Sequence, residues 1–355
     1  MIHEYVGNLH GHTTYSDGWG THLDIARAAI DAGLDFVVVT DHNVLVQGID
    51  GYRHGNDRKV LLLAGEEIHD QSRQPQKNHL LVYEVGTEIA DLAADPQALI
   101  DAVTEAGGLC FLAHPVDPEA PMFDEGDLSW ISWDVHGYTG LEIWNFMTEF
   151  KGHLTSWPRA IYYAYRPQLV ASGPYPEAIS RWDQLLAAGH RVVAIGGADA
   201  HAMPVRKGPL YRVVFPYDFL FRAVNTHVLS DRPLTGDVVP DRDVLFDSIR
   251  RGRCFVGYDL PASTRGFRFR AHSDLGEAWM GGEIGAEFGV TLQIRTPQPA
   301  RIRLLRDGEL LEEWVDRSHA VCTVHRPGAY RAEAHLPYRG EERTWILSNP
   351  IYVVE

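Results

Sequence analysis

The sequence predicts an α/β chain followed by an all-β segment. Three observations carry that prediction. Strand and helix patterns alternate through roughly the first two hundred residues, with short apolar runs separated by amphipathic stretches. From about Phe267 onward the pattern changes to short runs of alternating apolar and polar residues. At 355 residues, the length suggests two domains under a prior of roughly 100–200 residues each.

The elements follow in order. Glu4–Leu9 reads as a short strand and His22–Leu34 as an amphipathic helix with Gly33 near its end. Asp35–Thr40 (DFVVVT) is an apolar β-branched run bounded by turn signals, the pattern of a buried strand. Val60–Ala64 and His79–Val85 read as two more strands. Asp95 and Pro96 open a helix that runs to Gly107 and Gly108, with Asp at the cap and Pro in the first turn. Leu109–Leu112, Gly140–Trp144 and Val192–Ile195 are further strands, the last after a helix over Pro176–Ala188. Parallel strands with helices outside them, as a closed barrel or a doubly wound sheet, fit this rhythm.

Asp117–Arg181 departs from it. The segment is rich in Trp, Tyr and Pro and reads as an insertion with some helix, for example over Leu154–Tyr165. Asp241–Arg251 is one more helix, with Gly252 beyond it. The later strands (FRFRA, VTLQIRT, RIRLLRDGELLEEWV, AVCTV, AYRAEAHL) predict a small β-sandwich, and Asp307-Gly308 predicts a tight hairpin. The expected division is residues 1–260 and 261–355.

Composition narrows the function. Hydrophobic residues at 45% and charged residues at 23% are those of a globular protein. Lys and Arg number 32 against 48 Asp and Glu, so the net charge of −16 argues against nucleic-acid and anionic-membrane partners. Three distant cysteines (Cys110, Cys254, Cys322) exclude a disulfide framework and a cysteine-zinc module. No export signal or membrane-length apolar run is visible, so a cytoplasmic location is expected.

The chemistry lies in the histidines. His10-Gly-His12 follows the first strand, and Asp17 comes soon after. Asp41-His42 ends the second strand, Glu66-Glu67 ends the third, and His79 begins the fourth. His114-Pro115 ends the fifth, and Asp199-Ala-His201 follows the strand at Val192–Ile195. So many imidazoles and carboxylates converging without cations would bury unpaired charge, which divalent ions resolve. Residues two apart on a strand share a face, so each His-x-His or Asp-x-His pair can serve one centre. His22 and His69 flank these motifs, and the other histidines read as background.

NLHGHTTYSDG, VVTDHN, AGEEI, HLLVY, AHP and GADAH resemble, in order, the motifs of the PHP (polymerase and histidinol phosphatase) superfamily, over roughly Met1 to His201. The resemblance implies a distorted seven-stranded (β/α) barrel and two or three divalent ions (Mn, Fe or Zn). Carried over by position, His10, His12, Asp199 and bridging Glu67 hold the first ion. His79 and His114 hold the second with Glu67, and Asp17, His42 and His201 hold the third. Glu67 is chosen over Glu66 because the family carboxylate stands two residues after the glycine, here Gly65. GLEIWN, DRDVLFDSIRRGRCFVG and the terminal LSNPIYVVE resemble a PHP branch with a C-terminal β-domain that includes carbaryl-type carbamate hydrolases.

The expected activity is hydrolysis by a metal-bridging hydroxide, with Glu67, Asp17, His42 and His201 as the catalytic set. The first reading is a phosphoesterase acting on a small phosphorylated metabolite or nucleotide. The alternatives are a carbamate, ester or amide hydrolase on the same metals, and a non-catalytic metal-binding module. Arg206 and Lys207 are expected to offer charge to a phosphate, and Glu142 and Asn145 to face substrate. Trp130, Trp133, Trp144, Trp157, Tyr162 and Tyr163 are candidates for an apolar pocket wall. The β-domain is expected to pack on the barrel, wall the site or support a homo-oligomer.

Overall fold

The computed structural model describes residues 2–55 and 57–355; Met1 and Asn56 lie outside the described residues. One run of hydrogen-bonded strands organises the first part of the chain. His3–Asn8 pairs in parallel with Phe36–Val39, which pairs in parallel with Lys59–Ile68. Leu80–Tyr83 then runs antiparallel to Lys59–Ile68 and to Leu109–Leu112. Leu109–Leu112, Gly140–Asn145 and Val193–Gly197 continue in parallel. The all-parallel expectation is therefore corrected at Leu80–Tyr83, whose short link from Lys59–Ile68 contains no crossover helix.

The run curls until its ends meet. Gly11 bridges Ala200, and the Thr226 hydroxyl both donates to the Gly196 carbonyl and accepts from its amide. Residues on alternate positions fill the two faces. Phe36, Val38, Leu61, Leu63, Leu81, Phe111 and Ile195 share an inner cluster. Val37, Val39, Leu62, Val82 and Leu112 instead join the cluster formed with the outer helices. Both faces are buried, which is why these strands read as continuous apolar runs. Helix Val238–Arg250 contributes Leu245, Phe246 and Ile249 to the inner cluster.

Helix ends follow the sequence. Thr21 and Asp24 form a capping box on His22–Ala32, which Gly33 ends in the left-handed conformation (φ 82°). The Asp95 side chain caps Pro96–Glu105. The Asp117–Arg181 segment is more than an insertion: strand Gly140–Asn145 inside it is integral to the sheet, and helices Phe146–Gly152 and Trp157–Tyr165 follow.

Strands at Gly51–His54 and Val224–Ser230 and a hairpin of Met203–Lys207 with Leu210–Val214 were not anticipated. Val224–Ser230 runs antiparallel to both His3–Asn8 and Cys254–Tyr258. Cys254–Tyr258 in turn pairs with Glu341–Ser348, so hydrogen bonding is continuous across the expected boundary after residue 260. The later strands have their own apolar cluster, including Phe269, Leu292, Ile302 and Trp345. Its long hairpin, Val290–Arg306 with Glu309–Val324, turns at Asp307-Gly308 as expected, with positive φ at both residues. Among the described residues no helix is long and apolar enough to cross a membrane.

Candidate metal centre

Strand direction gathers the motifs on one rim. His10, His12, His42 and His114 lie just beyond strands that run toward the rim. Asp199 and His201 follow Val193–Gly197 in the same way. His79 precedes Leu80–Tyr83, and because that strand is antiparallel its beginning lies beside Glu67. Sharp backbone turns aim these side chains. His114 (φ 27°) and Asp199 (φ 55°) have positive φ, as do Asn43 beside His42 and Asn78 beside His79. Positive φ is uncommon for non-glycine residues and persists where surrounding structure enforces it.

Glu67 is the hub. Its Oε2 lies 2.9 Å from His10 Nε2, 3.1 Å from His12 Nε2 and 3.4 Å from His42 Nδ1. Its Oε1 lies 2.7 Å from His79 Nδ1 and 2.9 Å from His114 Nε2. Asp199 Oδ1 is 3.1 Å from His12 Nε2 and 3.4 Å from His10 Nε2. Asp17 Oδ1 is 3.2 Å from His201 Nε2, and Asp17 Oδ2 is 3.7 Å from His42 Nε2.

Among the described residues, three groups of donor atoms could each hold a cation. They are His10, His12, Glu67 and Asp199; His12, Asp17, His42 and His201; and His42, Glu67 and His79. The first coincides with the expected first-ion set. The second adds His12 to the expected third-ion set. The last places His42 with Glu67 and His79, while His114 approaches the same Glu67 oxygen.

The donor set fits divalent cations. Both ring nitrogens of His12, His42 Nδ1, His79 Nε2 and His114 Nδ1 are buried without hydrogen-bond partners. Buried polar atoms are normally satisfied, so His12 Nε2 and His42 Nδ1, which face Glu67 Oε2 at 3.1 and 3.4 Å without a hydrogen bond, point to a ligand there. The electrostatics agree. Burial pushes the Glu67 carboxyl up, but His10, His42 and His79 outweigh it and hold the group well below the usual range. Burial pulls His12 down, yet the Asp199 and Glu67 carboxylates close to it lift it to about 10. Burial pushes His79 down to about 4 despite Glu67 beside it. Protons thus neutralise this acidic cluster only on some imidazoles; cations would serve all of its carboxylates.

A supporting shell holds these groups. Glu142 Oε1 lies 3.0 Å from His10 Nδ1, and Oε2 accepts from the His114 amide and Asn145 Nδ2, each at 3.0 Å. Asn145 Nδ2 also reaches Asp199 Oδ2 at 3.3 Å, while its Oδ1 caps helix Phe146–Gly152 through the Thr148 amide. Both side chains are buried behind the cluster, which corrects the expectation that they face substrate. Gly197 is required here, since a Cβ would sit 2.5 Å from Glu142 Oε1 and 2.9 Å from His10 Cβ. At Gly18 a Cβ would overlap the His12 carbonyl, so the turn bearing Asp17 can pack against the His12 backbone.

Sequence reasoning missed several supports. Asp41 accepts from the Thr13 amide, the Thr13 hydroxyl and the Ser16 hydroxyl, each at 2.7 Å, and so pins the loop that carries Asp17. Asp117 lies 3.7 Å from His114 Nδ1 and is paired with Lys151 at 2.9 Å. His69, singled out in the sequence because it flanks the Glu67 motif, stacks on His79 with ring centroids 4.3 Å apart. Glu66 points away to Glu88, where burial and that carboxylate raise it to about 9.

The cluster floors a cavity of about 1170 Å³. Lys207 lines it, with Nζ 2.8 Å from the Trp157 ring centroid. Arg206 does not line it: strand alternation directs Met203, Val205 and Lys207 inward and Arg206 outward. Of the aromatic candidates, Trp157 lines the cavity, whereas Trp130 and Trp144 are buried in the core. Trp133, Tyr162 and Tyr163 are not among the lining residues.

The PHP-domain family model matches residues 8–100, the stretch that supplies His10, His12, Asp17, His42, Glu67 and His79. Over those residues the chain is similar to the PHP domain. A two-domain protein from Bacteroides vulgatus containing a predicted PHP-like metal-dependent phosphoesterase is 14% identical with a TM-score of 0.44, over 98% of this chain and 95% of that one. A candidate metal-dependent phosphoesterase from Bifidobacterium adolescentis is 19% identical with a TM-score of 0.34, over 58% of this chain and 92% of that one. Likeness at this level carries no functional weight, and the assignment rests on the family model. No curated protein matches the chain.

Proposed function

We propose that the protein is a metal-dependent phosphoesterase acting on a small phosphorylated metabolite or nucleotide. One observation carries the reading. The two Glu67 oxygens serve opposite sides of the cluster, one toward His10, His12 and His42 and the other toward His79 and His114, as a bridging carboxylate would. Two or three divalent ions (Mn, Fe or Zn) fit the remaining donors, and Asp199, Asp17 and His201 complete the set. The architecture assumed is a distorted (β/α)7 barrel over residues 1–260 with a β-sandwich over 261–355.

Bound divalent ions would supply Lewis acidity and lower the pKa of water, the chemistry that phosphoester hydrolysis needs. The chain's own residues do the rest. Glu142 orients His10, and Asn145 orients Asp199. Asp17, His42 and His201 line the cavity and are placed to hold a proton near the leaving oxygen. The buried rim behind Glu67 excludes water from the opposite side.

The test is phosphate release from p-nitrophenyl phosphate by protein loaded with each metal, alongside bis(p-nitrophenyl) phosphate and a naphthyl carbamate. Metal-dependent phosphate release that Glu67→Gln abolishes supports the reading. Carbamate cleavage without phosphate release refutes it and favours a carbamate or ester hydrolase, a reading supported by the apolar side of the cavity. Turnover of none of them by fully loaded protein favours a binding role.

A further inference from the structure

The cavity has an apolar side that the metal centre does not explain. Helix Trp157–Tyr165 presents Trp157, Ile161 and Tyr165, spaced four residues apart and so on one face, toward it. The hairpin opposite presents Val205 and Leu210. These five side chains are 37%, 41%, 46%, 41% and 44% exposed in that order, although all are large and apolar. A contiguous exposed apolar surface ending at a reactive centre marks a binding site. The two elements are latched together, since Arg212 Nε donates to the Ala164 carbonyl at 3.0 Å.

The charges restrict the occupant further. Among the described residues the cations lining the cavity are Lys151, Lys207 and Arg212. Lys151 is held by Asp117 and the Gly126 carbonyl, Lys207 lies on the Trp157 ring, and Arg212 is used in the latch. Lys207 and Arg212 keep their positive charge on the wall, but the divalent ions proposed above would concentrate more at the other end, so an anionic head is drawn there. The volume of about 1170 Å³ exceeds the ~300–1,000 Å³ typical of small-molecule pockets. A sugar phosphate would leave most of it filled with water and its hydroxyls facing carbon.

We propose that the substrate is a phosphomonoester whose organic part is flat and apolar, an aryl group or one of similar shape, with Trp157, Ile161, Tyr165, Val205 and Leu210 as the specificity surface. This rests on the phosphoesterase reading above and narrows it. The phosphoryl group sits at the His/carboxylate cluster and the leaving group lies along the wall. An aryl group that buries about 100 Å² more apolar surface than glycerol gains roughly 70-fold in affinity.

The experiment compares kcat/KM for 1-naphthyl phosphate and glycerol 2-phosphate on metal-loaded protein, and separately measures 1-naphthol binding by quenching of tryptophan fluorescence. Naphthyl phosphate is expected to be preferred by roughly 70-fold. Ile161→Glu and Leu210→Glu are each expected to cut that ratio by about tenfold and to weaken naphthol binding. Leu310→Glu, on the exposed hairpin of the last part of the chain, is the control and should leave the ratio unchanged. Because Ile161 and Leu210 are substantially exposed, both variants are expected to fold, which thermal unfolding checks.

Naphthol binding lost in Ile161→Glu, with no phosphate released from any ester, would sustain the wall and overturn the phosphoesterase reading. Phosphate release without aryl preference and without naphthol binding would overturn the wall and leave the phosphoesterase reading standing.

Discussion

Replacing Glu142 with Gln tests whether this buried carboxylate tunes the metal centre or meets substrate. The side chain keeps its volume, so packing is conserved. It loses its charge, and one oxygen becomes an amide nitrogen that can only donate. In the native arrangement one oxygen faces His10 Nδ1 and the other accepts from two donors, the His114 amide and Asn145 Nδ2. Turned one way, the new amide nitrogen faces the His114 amide and Asn145 Nδ2, both donors; turned the other way, it faces His10 Nδ1, which is a donor whenever Nε2 is given to a metal. A buried unsatisfied donor costs about 1–3 kcal/mol, so the metal-free variant should lose about that much stability. Loss of a partner behind a metal-bound histidine typically lowers metal affinity about 10–100-fold, or about 1.4–2.7 kcal/mol. Competition with a chelator measures the affinity, and urea unfolding of the metal-free protein measures the stability. Unchanged metal affinity together with a raised KM would refute the argument and restore Glu142 to the substrate side.

Gly197→Ala should destabilise the protein by about 1–3 kcal/mol through overpacking and lower its metal content, as measured by thermal unfolding and elemental analysis; a neutral result would mean that His10 and Glu142 can move aside. Chelation should lower the melting temperature, because ions at 1,000 times their Kd add about 4 kcal/mol to stability; an unchanged melting curve would argue against any ion bound to the folded state. His227, fully buried between Glu4 and Asp259, should cost about 1.5–3 kcal/mol when replaced by Ala, because its bonds to two carboxylates are lost while Glu4 keeps Arg268 and Asp259 keeps Thr264. Burial pulls His227 down, but Asp259 and Glu4 outweigh it and raise it; Asp259 is pushed up by burial and drawn down by His227 to about 2. The His227 contribution is fully present below the unfolded value of about 6.5 and is lost as pH rises through the raised folded value. The Asp259 contribution is present above about 3.9 and is lost as pH falls toward 2. The difference between wild type and His227→Ala in urea unfolding should therefore be larger at pH 5 than at pH 9; equal differences would refute this coupling.

The individual residues show what could be read in advance. Short apolar runs such as Phe36–Val39 and Leu109–Leu112 were legible because burial on both faces leaves a continuous apolar signature. Caps at Thr21 and Asp95 were legible as local chemistry. The hairpin Met203–Lys207 with Leu210–Val214 was not, because its exposed strands carry charged residues and Pro204, although Gly208-Pro209 marks its turn. Val224–Ser230 is fully buried but includes Asn225, Thr226 and His227, whose polar groups are satisfied largely by distant parts of the chain.

The site divides in the same way. His10, His12, His42, Glu67, His79, His114, Asp199 and His201 stand at strand ends, and strand ends are set by local patterning, so the sequence by itself determined which side chains could converge. It also determined that Glu66 and Glu67 point in opposite directions, since neighbours on a strand face opposite sides. Only the tertiary structure decided that Leu80–Tyr83 runs backward to bring His79 to Glu67, that Glu142 stands behind His10, and that Lys207 rather than Arg206 faces the cavity. Those outcomes depend on pairing and packing between residues tens to hundreds of positions apart. Local propensity carries no record of such contacts, because their energies arise only once the chain has closed on itself.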